Sequence, residues 1–376
     1  LRSLFLPMFP GDDVWRYLWE GHIQNLGFSP YHLAPTADVL VQHQTVWWSM
    51  INHPDTSAIY PPITQFGFRA LAAIVPAVLL FKLAFVAADL MICGMLAHRF
   101  GHQKTLIYAW NPLILYSFAG GAHYDPWFLL PLVAAWLVFD RESATQVSDI
   151  PESQPQRRYL RVALLLGISI AVKWISLPIL GFVAWRSLRQ VGWRVAVLVS
   201  ATGIVPMIVS ALPFCWGGTC PLVPVQSDFV TQGRSAEFIP HFVTQILPAS
   251  RWENWLYAFP LALIVLWLLF RSQTFRSFSE WYFMLLLLLS PVVHAWYFCW
   301  IVPFTVASGN WTGRLVSLSA FTYFGLQYRL SIGDTSWALT DLERAILWVP
   351  FLIGILQFAI RSSGNRQPEL KHSLSQ

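Results

Sequence analysis

Two carboxylates stand side by side in Gly11-Asp12-Asp13-Val14-Trp15-Arg16-Tyr17, and Glu20, Gly21 and His22 follow. In a helix, neighbouring side chains point about 100° apart, so only one of the pair can aim squarely at a given atom. The other is left to hold a partner such as Arg16, or to cap a helix that begins here. Asp12 fits the cap as well as it fits a catalytic part. Asp13 has less structural reason for its place and is the stronger candidate for a functional role. Arg16 and Tyr17, on the same segment, are candidate substrate contacts.

Further along, Asn52-His53-Pro54-Asp55 precedes Ile59-Tyr60-Pro61-Pro62. Paired prolines favour an extended chain breaking into a helix at Ile63, and a rigid loop explains them; His53 and Tyr60 are candidate ligand contacts. Three polar interruptions then punctuate apolar sequence: Gly120-Gly121-Ala122-His123-Tyr124-Asp125-Pro126, Lys173-Trp174 and Pro291-Val292-Val293-His294-Ala295-Trp296-Tyr297. His123, Asp125, Lys173 and His294 are their ionisable members. A lone histidine is more often a satisfied core residue than a ligand, but three such interruptions facing one side would raise the odds of a site. Lys173 is a natural point charge for a phosphate; snorkelling is its plainer explanation. Lys82 and Asp89, two helical turns apart, share a face and read as structural salt links to a neighbouring helix. Asp12/Asp13 with His22 and His53 could form an oxygen-and-imidazole metal site, but the spacing is unspecific. No cofactor is expected, and there is no phosphate-cradling glycine loop, Walker motif or serine-hydrolase elbow.

The elements that must position these residues lie in a membrane. Of 376 residues, 56% are hydrophobic and only 11% charged, where soluble domains carry about 25% charged residues. A water-soluble fold could not cover that apolar surface. The net charge of +5 is scattered singly between apolar runs, which argues against nucleic acid. Apolar segments lie near 77–97, 105–119, 125–139, 160–185, 194–213, 254–270, 281–308, 314–328 and 344–360. If 105–139, 160–185 and 281–308 are hairpins turning at the polar interruptions, every arginine-rich cluster falls on one side, the cytoplasmic one. The expectation is an all-α polytopic transmembrane protein with short broken helices: 1–69 an extracytoplasmic loop carrying the acidic motif, 70–361 the transmembrane domain and 362–376 a cytoplasmic tail. Residues 63–74 form a short amphipathic stretch at the membrane surface. Non-helical backbone at membrane depth survives only where protein or a wet cavity satisfies it, so the three turns should line a cavity opening outward. Trp15, Trp19, Tyr60 and Tyr124 are candidates to stack on the face of a ligand, or are simply interfacial anchors. Arg234, Glu237 and His241 belong to a loop, 215–252, that could cover the site. Cys215 and Cys220 could form a local disulfide if that loop is exported, while Cys93 and Cys299 read as small core residues.

The string Gly11–Gly21 resembles the first external loop of the GT-C glycosyltransferases. Pro30-Tyr31, Asn52-His53-Pro54, Ile59–Pro62, Trp110-Asn111-Pro112 through Asp125, and Lys173 before Pro178 continue the likeness, which is nearest to the polyprenol-phosphate-mannose-dependent α-(1→6)-mannosyltransferases. The resemblance implies an inverting transferase that moves a hexose, mannose in that group, from a polyprenyl-phosphate donor to a hydroxyl of a glycan or glycolipid acceptor. It implies a cell-membrane protein with an extracytoplasmic site and a carboxylate base, which maps to Asp13 with Asp12 beside it. It also implies a membrane helix ahead of this loop, and the sequence opens at Leu1, at the loop itself.

From the residues alone, the acceptor hydroxyl needs such a base, and Lys173 or Arg16 would stabilise the leaving phosphate. Broken helices with buried charges also suit a transporter or flippase of a lipid-linked or small polar solute. That reading requires two inverted halves, and no internal symmetry is visible.

Overall fold

The computed structural model describes residues 1–144, 154–215, 220 and 228–364. Their regular structure is helical, and among them the sole β-pairing is an isolated bridge between Ser235 and Val292. The expected tail is described only to 364; the remainder of it lies outside the described residues. Among the described residues, three helices are long and apolar enough to cross a membrane, Val78–Phe100, Trp193–Phe214 and Asp341–Ser362. The chain forms two compact units, one comprising 1–95, 115–231 and 263–279 and the other 96–114, 232–262 and 280–376.

In the first unit, α1 (Arg2–Phe5), α2 (Asp13–Asn25), α3 (Pro62–Ile74) and α4 (Val78–Phe100) precede the helices Pro126–Ala144, Gln154–Val172, Leu177–Gln190 and Trp193–Ala211. The stretch expected as an external loop is thus itself built of helices and turns. Asp13 opens α2, where a carboxylate suits the positive end of the helix dipole. Pro62 starts α3, a position where its missing N–H costs nothing. The two helices cross closely because Gly21 has no side chain: a Cβ there would lie 2.3 Å from the carbonyl oxygen of Phe68. On the far side of α2, Trp19 and Ile23 are buried against Leu40 and Ile51, so Trp19 is core rather than an open stacking surface.

Asp89 does form a salt link, to Arg2 at 2.7 Å, which pins α1 to α4. Lys82 finds carbonyls instead of a carboxylate: its ammonium donates to Met8 at 2.6 Å and Leu6 at 3.0 Å. Both residues position the segment that leads into Gly11.

The interruption at Lys173 separates the helices Gln154–Val172 and Leu177–Gln190, with Lys173 itself extended. Its backbone needs are met locally, as membrane depth demands. Thr64 of α3 donates to the Val172 carbonyl at 2.8 Å, and the Ser169 hydroxyl reaches both the Phe128 carbonyl at 2.9 Å and Ser176 at 2.7 Å. Ahead of Pro126, Leu115–Gly120 is wound as a π-helix, in which Gly121 donates to the Tyr116 carbonyl at 2.6 Å. Ala122 then takes φ +61°, a conformation costly for a residue with a side chain. Cys215 and Cys220 are disulfide-bonded; residues 216–219 between them lie outside the described residues.

In the second unit, the interruption before His294 is braced by a returning segment: Ser235 donates to the Pro291 carbonyl at 3.1 Å and accepts from the Val293 N–H at 2.7 Å. Arg234 donates to the Ser250 carbonyl, fastening its loop. Cys299 is buried and outside any disulfide, as its apolar setting suggested, and Cys93, in the first unit, is half-buried.

Candidate active site

Asp13 sits on the first turn of α2 with its side chain 20% exposed. Its two oxygens have different neighbours. Oδ1 accepts a hydrogen bond from Asn52 Nδ2 at 2.9 Å, while Oδ2 faces His123 Nδ1 at 3.5 Å. Carboxylates serving as bases are useful when held in one orientation, and this one is held from the loop at 52. Gly11 approaches the turn that carries His123, donating to the Gly121 carbonyl at 2.9 Å; a Cβ on Gly11 would lie 3.1 Å from that oxygen.

Asp12 occupies the cap position, but its side chain makes no capping hydrogen bond. It is solvent-accessible yet ringed by protein, as in a concavity. Burial first and the neighbouring Asp13 second push its carboxyl above the ordinary range, with the Asn52 side chain pulling the other way. Adjacent carboxylates that share one asparagine titrate as a pair.

Arg16 does not serve as the partner of Asp12. It pairs with Glu20, one turn on, at 2.8 Å, and its remaining nitrogens donate to the carbonyls of Asn52, His53 and Thr56. Its donors are spent on one loop, so Arg16 is a clamp holding 52–56 rather than an open ligand for phosphate. His53 is exposed, at φ +45°, and contributes its carbonyl to this clamp. Glu20 also accepts from Gln65 of α3 at 2.6 Å. Burial pushes the Glu20 carboxyl up, against the opposing pull of Arg16.

Lys173 donates to Asp125 at 2.8 Å. Asp125 is buried at 1% exposure, while the lysine side chain keeps 18%. The ammonium lies 5.2 Å from the Tyr124 ring centre and 5.6 Å from that of Phe128, distances at which aromatic faces attract a cation. Tyr124 in turn meets Tyr17 and Tyr60 edge-on at 5.5 and 5.3 Å. Tyr17 and Tyr124 are buried and Tyr60 half-buried, its carbonyl accepting from the Tyr31 hydroxyl at 2.6 Å.

The first unit therefore gathers Asp12, Asp13, Arg16, Tyr17, His53, Tyr60, His123, Asp125 and Lys173. His294 belongs to the second unit, where its Nδ1 lies 2.5 Å from the Tyr323 hydroxyl and its ring stacks on Trp296. Asn52 is the residue that a search for ionisable groups passes over. It stands in the Asn52-His53-Pro54 string, but an amide carries no titration signal. Among the described residues, no three His, Cys, Asp or Glu side chains form a group able to hold a metal ion.

Residues 3–189 match the family model described as alpha-(1→6)-mannopyranosyltransferase, N-terminal domain. All the first-unit candidates fall inside that range. No curated protein matches the chain. Among solved structures, the chain is similar to ArnT from Cupriavidus metallidurans, whose crystal structure has undecaprenyl phosphate bound. The two are 14% identical with a TM-score of 0.49, over 95% of this chain and 68% of that one; a likeness this loose bears on no individual residue.

Proposed function

Through residues 3–189 the chain belongs to the alpha-(1→6)-mannopyranosyltransferase family, and from that premise we propose that Asp13 is the general base of an inverting, polyprenyl-phosphate-dependent hexosyl transfer. Family membership makes the chain an enzyme, a membrane glycosyltransferase, which sets the transporter reading aside. In the proposed reaction an acceptor hydroxyl attacks the anomeric carbon of the donor sugar. Its proton passes to Asp13 as the new C–O bond forms, and the bond from that carbon to the phosphate oxygen breaks. The polyprenyl phosphate leaves with the bonding electrons, and Lys173 meets the negative charge that develops on it.

The carrying observation is the alternation at the 123–125 turn. His123 faces Asp13, while Asp125 holds Lys173. One short turn thus touches both the base and the cation, and Tyr124, whose ring centre lies 5.2 Å from the ammonium, stands between the two contacts. That arrangement suits one group taking a proton from the acceptor while the other steadies the leaving phosphate. Mannose is the sugar the family points to, and a glycan or glycolipid hydroxyl is the acceptor class. No cofactor enters the reaction. The site is assigned to the extracytoplasmic side, because that placement leaves the arginine-rich ends of the helices in the cytoplasm.

The test is incubation of membranes with radiolabelled polyprenyl-phosphate mannose and lipid-extract acceptors. Asp13→Asn should lower transfer by roughly 10²–10⁴-fold while the protein remains inserted. Full activity in that variant removes the base. Labelling of a cysteine engineered beside Asp13 should proceed from outside the cell; labelling from the cytosol alone overturns the topology.

A further inference from the structure

Away from the candidate site, the helices Leu177–Gln190 and Trp193–Ala211 enclose an open apolar groove of about 590 Å³. It is lined by the large side chains Leu188, Trp193 and Ile204 and the small ones Ala196, Ser200 and Ala201. From Trp193 to Ile204 the groove follows eleven residues of helix, about 16 Å, which is about half the hydrocarbon thickness of a bilayer. It is therefore as long as one leaflet is deep.

One end of the groove is cationic. The Arg194 guanidinium lies 5.6 Å from the ring centre of Trp193, a groove wall, and Arg189 follows Leu188, another wall residue. Both arginines are exposed, as are Arg157 and Arg161 on the neighbouring helix Gln154–Val172. Tyr159 donates to Gln190 at 2.6 Å, tying the start of that helix to the end of Leu177–Gln190, so these arginines share one end of the bundle. The charge is one-sided: residues 155–215 hold six arginines and a lysine and no Asp or Glu.

We propose that this groove is a binding site for an anionic diacyl phospholipid of the surrounding membrane, with one acyl chain along Trp193–Ile204 and the headgroup phosphate on Arg189 and Arg194. Two features separate it from the donor site. Lys173 precedes the helix Leu177–Gln190, whereas Arg189 lies in its last turn and Arg194 beyond it, so about 18 Å of helix separates Lys173 from the nearer arginine. The groove is also lined without a single group that could act on a sugar. The bound lipid is structural: it fills a surface concavity, and it neutralises Arg189 and Arg194, which have no acidic residue within thirty positions in sequence.

Native mass spectrometry of the full chain in detergent tests the proposal, with dioleoyl phosphatidylglycerol and dioleoyl phosphatidylcholine as competing probes. Two interfacial arginines should favour the anionic lipid by about 30-fold. Arg189→Gln with Arg194→Gln should abolish that preference, and Ser200→Leu, which fills the groove and leaves the arginines in place, should reduce retention of both lipids. Equal retention of the two lipids by the native chain, or a phosphatidylglycerol adduct that survives both variants, overturns the site. Displacement of phosphatidylglycerol by equimolar undecaprenyl phosphate also overturns it, by making the groove part of the donor's path.

Discussion

Arg16–Glu20 and Lys173–Asp125 are both cation–carboxylate pairs with a closest approach of 2.8 Å, yet they are built for different ends. The first lies wholly within α2 and is buried on both sides. Its guanidinium carries three loop carbonyls besides Glu20, and Glu20 also accepts from Gln65. Arginine's fixed fork suits such a multiple commitment, and four of its five N–H donors are taken here. The second pairs a buried carboxylate with an ammonium that remains partly exposed at a helix break. A lysine has three rotatable donors, so it can keep Asp125 and still turn toward an arriving anion. A closed pair fixes a loop; an open pair can share its charge. The neighbourhood of each cation separates the roles that the charges alone do not.

That contrast can be broken at either pair. Arg16→Met would leave Glu20 buried without its cation and should destabilise the protein by about 3–5 kcal/mol, read from chemical unfolding in detergent. Burial already raises the Glu20 carboxyl, and a carboxyl raised in the fold favours the protonated form. The variant's deficit should therefore be smallest at acidic pH and grow as pH rises through the folded value. A native unfolding midpoint would show that the clamp is not closed. Lys173→Gln keeps a donor for Asp125 and should unfold almost as the native protein does, but lose about 10²-fold in kcat through the missing charge. A variant equally impaired in both stability and turnover would erase the distinction.

Much of this arrangement is legible in the sequence, for a physical reason. Each of the three polar interruptions named there breaks a helix, because Gly, Pro and ionisable residues cannot continue an apolar helix without cost. The carboxylate pair ahead of an apolar periodicity likewise marks the start of α2. What the sequence hides is which partner each charge takes. Arg16 has Asp12, Asp13 and Glu20 within reach along the chain, and the choice of Glu20 follows from Gln65 and the carbonyls of 52–56 arriving from elsewhere. The same holds for Trp19, whose type suits a sugar platform but whose side of α2 is covered by Leu40 and Ile51. Lys82 read as half of an ion pair because a backbone carbonyl gives no signal in a list of residue types. Asn52 was silent for the same reason.

The smaller effects sharpen the site end of the comparison. Asn52→Ala removes the donor to Asp13 and leaves the Arg16 contact to the Asn52 backbone. It should cost about 10-fold in kcat with little change in KM, as expected for lost orientation. Because a hydrogen bond to the charged form favours that form, its loss should also move the acid limb of the pH–rate profile to higher pH. A change in KM alone would make Asn52 a substrate contact instead.

Asp12→Asn should move the same limb the other way. Burial and then Asp13 hold the Asp12 carboxyl above its usual range, and the profile of the native enzyme reports the two carboxylates as a coupled pair. A neutral amide at position 12 ends the repulsion, so the surviving carboxylate should stay charged further into acid and the limb should fall to lower pH. Turnover at neutral pH should drop no more than about 10-fold, since general-base catalysis, worth roughly 10²–10⁴, still resides in Asp13. If Asp12→Asn instead matched the loss in Asp13→Asn, with no displacement of the limb, the two carboxylates would have to exchange roles, and the Asn52 contact would mark the spectator.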